Sequence, residues 1–228
     1  MDVLITQGHH PPSNPDGITV VIDVIRAFTT AHYAFVGGAR HIYMVATAPE
    51  ALDMKDANPD LLLAGEVDAL PIDGFDFGNS PWEIQHADVR NRELVQRTTN
   101  GVIATLRARD SAEVLVAGLI NAEATANYIL RCAPATVVLV ASHPTGDEDV
   151  ACAQYISGLL GHEGISLDDA IRRTREAKAA IKFYDGSHPR LRGADIDMAA
   201  SSAGPDGLIM PVEYDRSPKI LCRSSSDL

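Results

Sequence analysis

The order of apolar runs along this chain predicts an α/β fold, a mainly parallel or mixed sheet flanked by helices. Three observations carry that reading. Short β-branched runs such as "ITVVIDV" and "TVVLVA" recur along the sequence. Stretches with helical periodicity lie between them. Helix stops and starts punctuate the alternation, with Gly37 and Gly38 ending one helix and Pro49 and Ser166 opening others.

In chain order, residues 18–24 read as a buried strand and 27–36 as a helix stopped by the glycine pair. A strand over 41–46 follows, then a helix over 49–56 with Pro49 in its first turn, then a strand over 61–65. Residues 67–81 show no clear periodicity, and a loop of this length in a compact domain is more often functional than idle. A short helix over 81–87, a strand over 93–98 and a helix over 101–108 come next. Strands over 113–117 and 136–141 flank a helix over 122–132. Helices over 148–160 and 167–182 follow, the second with Ser166 as its cap. Residues 185–206 are dense in Gly, Pro, Ser and Asp and read as an ordered excursion. A last strand near 208–212 precedes a tail, "RSSSDL", expected to fray. The chain reads as one domain over 1–228, with two lobes as the alternative, residues 143–228 closing over the site.

The formal net charge of −12 disfavours a nucleic-acid backbone or an anionic membrane surface as partner. A small-molecule phosphate ester or a metal ion fits better, and a homodimer stays open. Cys132, Cys152 and Cys222 are odd in number, widely spaced and without a CxxC pair, as expected of reduced thiols in a cytoplasmic protein. The first residues lack an export leader, and no run approaches the ~20 apolar residues of a membrane helix.

Several predicted strands end in residues that bind metals or phosphates. Asp23 closes "ITVVIDV", Glu66 closes "LLLAGE", Thr98, Thr99 and Asn100 close the strand before residue 101, and Ser142 and His143 close "VVLVAS". Ligands of open parallel sheets sit outside the carboxyl ends of the strands, so four ends point at one crevice. Each residue taken alone is also an ordinary helix cap, and Ser80-Pro81 is an ordinary helix start. Read together they form a site. Gly78 and Gly101 leave backbone N–H groups unobstructed at helix starts, where an anion is favoured. Ser80, Thr98, Thr99 and Asn100 would complete a phosphate cradle. Asp23, Glu66, Glu148 and Asp149 are hard oxygen ligands suited to Mg²⁺ or Mn²⁺, and exceed what one ion needs.

The remaining phosphate chemistries are excluded by pattern. GxxxxGK[ST] is absent. Asp23 is followed by Val24 and Ile25, without the second Asp of a phosphoaspartyl route. Cys152 lacks an Arg six residues on, where Gly158 stands, and there is no Arg-His-Gly. A metal-activated water attacking phosphorus is left.

The segments "VVIDVIRAFTT" at 20–30, "GE" at 65–66, "GFDFGNSP" at 74–81, "TTNG" at 98–101 and "EDVACA" at 148–153 together resemble the 2-phosphosulfolactate phosphatase family. "LINAEATANYIL" at 119–130 extends the likeness over residues 18–162, and "SHPRLRGADID" carries it more weakly onward. The resemblance implies a Mg²⁺-dependent hydrolase acting on the phosphate ester of a 2-hydroxy acid in coenzyme M synthesis. It places Asp23, Arg26, Glu66, Asp76, Asn79, Ser80, Thr98, Thr99, Asn100, Glu148 and Asp149 in or around the active site. Roles inferred from residue chemistry make Asp23, Arg26 and Asp76 catalytic, and His143 joins them on its place at a strand end beside Glu148. Asn79, Ser80, Thr98, Thr99, Asn100 and Gly101 are expected to bind phosphate, and Asp23, Glu66, Glu148 and Asp149 to bind metal.

The chain departs from the family pattern at Val67, where Arg follows Gly-Glu, at Val102, where Thr follows Thr-Asn-Gly, and at Phe28, which replaces a smaller polar residue. Loss of an Arg that grips a carboxylate or sulfonate leads to the expectation of a diverged substrate, such as a phosphorylated sugar or nucleoside, with Phe28 reshaping the pocket wall. A true 2-phosphosulfolactate phosphatase and a non-catalytic phosphometabolite-binding protein are the alternatives. His9 and His10 read as an exposed turn, with an imidazole brought to a metal as the alternative if the segment folds over the crevice; Cys152 reads as a packed core thiol and Trp82 as the anchor of its short helix.

Overall fold

A computed structural model describes residues 1–186 and 188–224. Residues 225–228, most of the tail expected to fray, lie outside the described residues. In chain order the elements are β1 (Asp2–Gln7), β2 (Asn14–Ile22), α1 (Ala27–Val36), β3 (His41–Met44), α2 (Ala48–Ala57), β4 (Leu62–Val67), β5 (Leu70–Pro71) and α3 (Pro81–Gln85). Then come β6 (Glu93–Arg97), α4 (Gly101–Arg107), β7 (Ser111–Ala117), α5 (Ala122–Cys132), β8 (Thr136–Ala141) and α6 (Asp147–Leu159). The chain ends with α7 (Leu167–Glu176), α8 (Lys178–Tyr184), α9 (Gly193–Ala199), β9 (Val212–Glu213) and β10 (Lys219–Ile220).

The strands form two sheets. β1-β8-β2-β7 is parallel throughout, and β5-β4-β6-β3-β10-β9 is mixed, with β4, β6 and β3 parallel and the rest antiparallel. Side chains alternate across each strand with period two, which sorts them into layers. Val20 and Ile22 face Leu139, Ile129 and Ile156, under α5 and α6. Val21 faces the other way, into a middle layer where Phe28 of α1 and Val102 of α4 meet Ile42, Ala64 and Leu94 of the second sheet. Tyr43, Leu63 and Val95, one residue out of phase, pack with Ala51 of α2. The helices α1 and α4 therefore lie between the sheets, and the apolar runs are continuous because both strand faces are covered. Val116 N–H donates to Met210 C=O at 2.9 Å, joining the edge of β7 to the segment leading into β9.

The α/β class and the succession of elements from residue 14 to 159 follow the sequence pattern. Several features differ, among them the two-residue strand β5 inside the expected loop and the last strand, which is confined to β9. β1, a half-exposed edge strand on β8, was not among the expected strands, because its six residues carry too little apolar signal. β10 was not expected either, being two residues long. The helix expected over 167–182 is broken at Ala177, whose ψ of 141° is extended; no Gly or Pro marks the break, and burial of Ala177 in the small cluster with Phe183, Leu191 and Ile196 holds it. The excursion over 185–206 contains α9, held by the buried Asp195 and Ile196. Among the described residues no helix is long and apolar enough to cross a membrane.

The loop containing "GFDFGNSP" runs beside β4. Phe77 N–H donates to Leu63 C=O at 3.0 Å and Gly65 N–H to Phe77 C=O at 3.2 Å, so the segment extends the sheet and delivers Asn79 beyond its end. Here β4 approaches β6 so closely that a Cβ on Gly65 would lie 2.2 Å from the Arg97 carbonyl oxygen. Gly65→Ala is expected to destabilise the protein by ~1–3 kcal/mol through forced separation of the strands, read as a lowered denaturant midpoint. An unchanged midpoint would show that the approach is not a constraint.

Candidate active site

Asp23 follows the last residue of β2, where the chain turns into α1, and its carboxylate is spent on two helix starts. Oδ1 accepts the Ala27 N–H of α1 at 3.0 Å and Oδ2 the Gly101 N–H of α4 at 2.8 Å. Glu66, in β4, does the same for two turns. Its Oε1 accepts Thr99 N–H at 2.6 Å, and its Oε2 accepts Ala69 N–H at 2.6 Å and the Thr99 hydroxyl at 3.2 Å. The Ala69 contact steadies a hairpin turn in which Asp68 and Ala69 have φ of 51° and 71°, a left-handed geometry that side chains resist. Asp149, in the first turn of α6, accepts Val24 N–H at 2.8 Å and His143 N–H at 3.0 Å, tying the ends of β2 and β8.

These contacts bring Asp23, Glu66, Thr99, Asn100 and His143 to one cavity of about 250 Å³, together with Arg26 and Asn79. The four strand ends belong to two sheets, β2 and β8 in one and β4 and β6 in the other, so the crevice lies where the sheets' carboxyl ends meet. The remaining expected residues are placed elsewhere. Asp76 is exposed and bound to Lys55 Nζ at 2.6 Å and Leu63 N–H at 2.8 Å. Ser80 caps α3 and donates to Asp195, and Thr98 accepts Val102 N–H at 3.1 Å. Gly101 gives its N–H to Asp23, as Thr99 does to Glu66, so these amides are taken by the protein's own carboxylates rather than left for a phosphate. Glu148 and Asp149 are buried behind the cavity wall.

The cavity also has residues that strand-end reasoning did not find. Ala179, Lys182 and Phe183 of α8 form a wall, and Ile25, Asp68 and Ala69 complete the lining. Arg26 is fixed by Asp195 of α9, which accepts its Nη1–H at 2.9 Å, while Arg26 Nη2 donates to Ala69 C=O at 3.0 Å and the guanidinium lies 4.6 Å from the Phe183 ring centre. Asp195 also accepts the Ser80 hydroxyl at 2.6 Å and Trp82 N–H at 3.2 Å. The one signal for it was its place in "GADID". His9, expected in an exposed turn, instead lies with Nε2 2.7 Å from Asn100 Oδ1. Cys152 is a buried core thiol as expected. Trp82 packs against His86 and under Arg192.

The electrostatics centre on Asp23. Burial raises its pKa to about 6 and that of Glu148 to about 7, and pushes Asp149 well above the carboxylate range. Asp23 repels each of Glu66, Glu148 and Asp149. Burial, with the charges of Lys182 and His9, lowers the pKa of His143. Because His143 Nδ1 accepts the Thr145 N–H at 3.1 Å, the neutral ring carries its proton on Nε2 and is a donor there. Among the described residues no group of three or more His, Cys, Asp or Glu side chains is placed to hold a metal ion. The donors nevertheless suit a hard cation: Asp23 and Glu66 face the cavity, and Glu148 Oε2 is buried without a hydrogen-bond partner.

A family model described as 2-phosphosulpholactate phosphatase matches residues 4–195. The chain is 42% identical over 218 residues to a probable 2-phosphosulfolactate phosphatase of Bacillus subtilis (strain 168), covering 94% of this chain and 95% of the relative. A protein of the same description from Deinococcus radiodurans is 39% identical over 167 residues, covering 71% and 70%. One from Clostridium perfringens (strain SM101 / Type A) is 34% identical over 196 residues, covering 82% and 76%. Fold and comparisons define an α/β phosphatase. Within that class, the chain belongs to the 2-phosphosulfolactate phosphatase family. The three departures from the family pattern do not touch the cavity: Phe28 and Val102 are buried in the middle layer and Val67 is exposed outside the lining. The reshaped wall expected from Phe28 is not formed, and the expected change of substrate has no support in the site.

Raised carboxylate pKa values mean that the folded chain binds more protons than the unfolded chain between pH ~4 and ~7, so stability falls as pH rises through that window. The EDTA-treated protein is expected to lose several degrees of Tm between about pH 5 and pH 8, at ~2–4 °C per kcal/mol, and Glu148→Gln to flatten the loss. A Tm that rises over this range in scanning calorimetry would contradict the burial argument. Asp195→Ala leaves Arg26 buried and unpaired and is expected to cost ~3–5 kcal/mol in denaturant unfolding.

Proposed function

We propose that the chain hydrolyses the phosphate monoester of a small 2-hydroxy acid, with 2-phosphosulfolactate as substrate, and that Mg²⁺ or Mn²⁺ assists. The observation that carries this reading is a small cavity lined by both signs of charge, Asp23, Glu66 and Asp68 together with Arg26 and Lys182. The names of the relatives supply the substrate. At about 250 Å³ the cavity falls below the ~300–1,000 Å³ usual for drug-sized ligands, which favours a compact phosphoester over a nucleoside phosphate.

In this reading Asp23 and Glu66, the carboxylates that line the cavity beside Arg26, would hold the cation. There it would polarise a phosphoryl oxygen and lower the pKa of an attacking water. The guanidinium of Arg26, held by Asp195, offers its remaining N–H groups to the equatorial phosphoryl oxygens, where negative charge builds. Asn79, in the same cavity, offers its amide N–H groups to the same group. His143 Nε2–H donates to the ester oxygen as the bond to phosphorus breaks, and Ile25 and Phe183 cover the carbon skeleton and exclude water.

The test is phosphate release from 2-phosphosulfolactate with Mg²⁺ and with EDTA. Asp23→Asn and Arg26→Ala are expected to lower kcat/KM at least ~100-fold, with turnover by the parent protein abolished by EDTA and restored by the metal. Substrate binding without turnover in the parent protein would establish a binding protein instead, and near-normal rates in Asp23→Asn would remove that residue from the chemistry.

A further inference from the structure

The cavity has a cationic group that phosphate chemistry at Asp23 does not use. Lys182, half-buried on α8, lines the cavity. Among the described residues it forms no hydrogen bond or ion pair, and its only close partner is the Phe183 ring, whose centre lies 6.0 Å from Nζ. Its charge is felt by His143 and by Glu148, which places the ammonium toward the His143 side of the cavity. Arg26, by contrast, is locked beside Phe183 by Asp195 and the Ala69 carbonyl.

The two cations differ in the anion they suit. A guanidinium fixed in plane by a buried partner matches the tetrahedral face of a phosphoryl group whose position must not vary. An ammonium on a flexible stem is a point charge that accepts an anion in several orientations. We propose that Lys182 is a specificity-determining residue that binds the acid group of the substrate remote from the phosphate, a sulfonate or carboxylate, while Arg26 binds the phosphoryl group. This rests on the reading of the cavity as a phosphatase site and adds which part of the substrate each cation holds. Because α8 exists as a separate helix only through the break at Ala177, the break is what turns Lys182 over the cavity.

The experiment compares the parent protein with Lys182→Met and Lys182→Arg on two substrates, 2-phosphosulfolactate and phenyl phosphate, which lacks the second acid group. The ratio of kcat/KM for the first to that for the second is expected to fall about tenfold in Lys182→Met, mainly through KM, and to recover in Lys182→Arg. A ratio unchanged in Lys182→Met, or equal losses on both substrates, overturns the assignment. In parallel, binding of sulfolactate, the dephosphorylated product, is measured by calorimetry. Binding by the parent protein that weakens about tenfold in Lys182→Met supports the assignment, and equal binding by both, or none by the parent, overturns it. A parent protein that binds sulfolactate but hydrolyses neither ester separates failure of the phosphatase reading from failure of the Lys182 assignment.

Discussion

Gly101 has no side chain because Asp23 leaves no room for one: a Cβ there would lie 2.7 Å from Oδ2, the atom that accepts the Gly101 N–H. That contact is the constraint on which the site depends. Asp23 follows a strand of the first sheet, and Gly101 opens the helix that follows a strand of the second. A single carboxylate thus stands at the start of α1 and of α4, where the positive ends of both helices favour it. The carboxyl ends of both sheets open on one crevice, where the helix starts of α1 and α4 share one anion.

The same arrangement explains how acidic residues serve the fold without being exhausted by it. Asp23, Glu66 and Asp149 each give two oxygens to backbone N–H groups, and a carboxylate oxygen keeps a second lone pair after accepting one hydrogen bond. The structural role fixes each group in position, and the second lone pairs of both Asp23 oxygens and of Glu66 Oε1 are left for a ligand. Crowding such groups in a buried region costs stability, visible in the raised pKa values of Asp23 and Glu148. A cation at this point would relieve the repulsion, so the mutual repulsion of these carboxylates and their affinity for a cation are two aspects of one charge distribution.

The strand and helix succession was legible because it is written locally, in apolar runs, glycine stops and caps. Asp23, Glu66, Thr99, Asn100 and His143 were legible as cavity residues because strand ends are local too. Which strands pair is not local, and neither the division into two sheets nor the edge strand Asp2–Gln7 has a signature in neighbouring residues. Capping chemistry reads identically in sequence whether or not a ligand is near, which is why Ser80 and Thr98 could not be separated from Thr99. Donors and acceptors cannot be matched from sequence either: the N–H group of Gly101 looked free for phosphate until Asp23 was seen to hold it. Lys182 carries no motif, and its position follows from the break at Ala177, where Phe183 and Ile196 decide a backbone angle that no nearby residue announces.

The late part of the chain has a role that its composition conceals. Arg26 comes 169 residues before the aspartate that fixes it, and an arginine buried at the end of the first βα turn would be unpaired until α9 is in place. Asp195 also receives the Ser80 hydroxyl and Trp82 N–H, so one carboxylate positions the guanidinium and the start of α3, which follows directly on Asn79. Breaking a buried ion pair costs more than forming it gains, so the segment that carries Asp195 is held to the early strands by a penalty on leaving rather than by a large apolar interface. The cluster beside it is small, Ala177, Ala180, Phe183, Leu191 and Ile196 with Ile25. Phe183 belongs both to that cluster and to the cavity wall, so the packing that docks this segment is continuous with the surface that would meet a ligand.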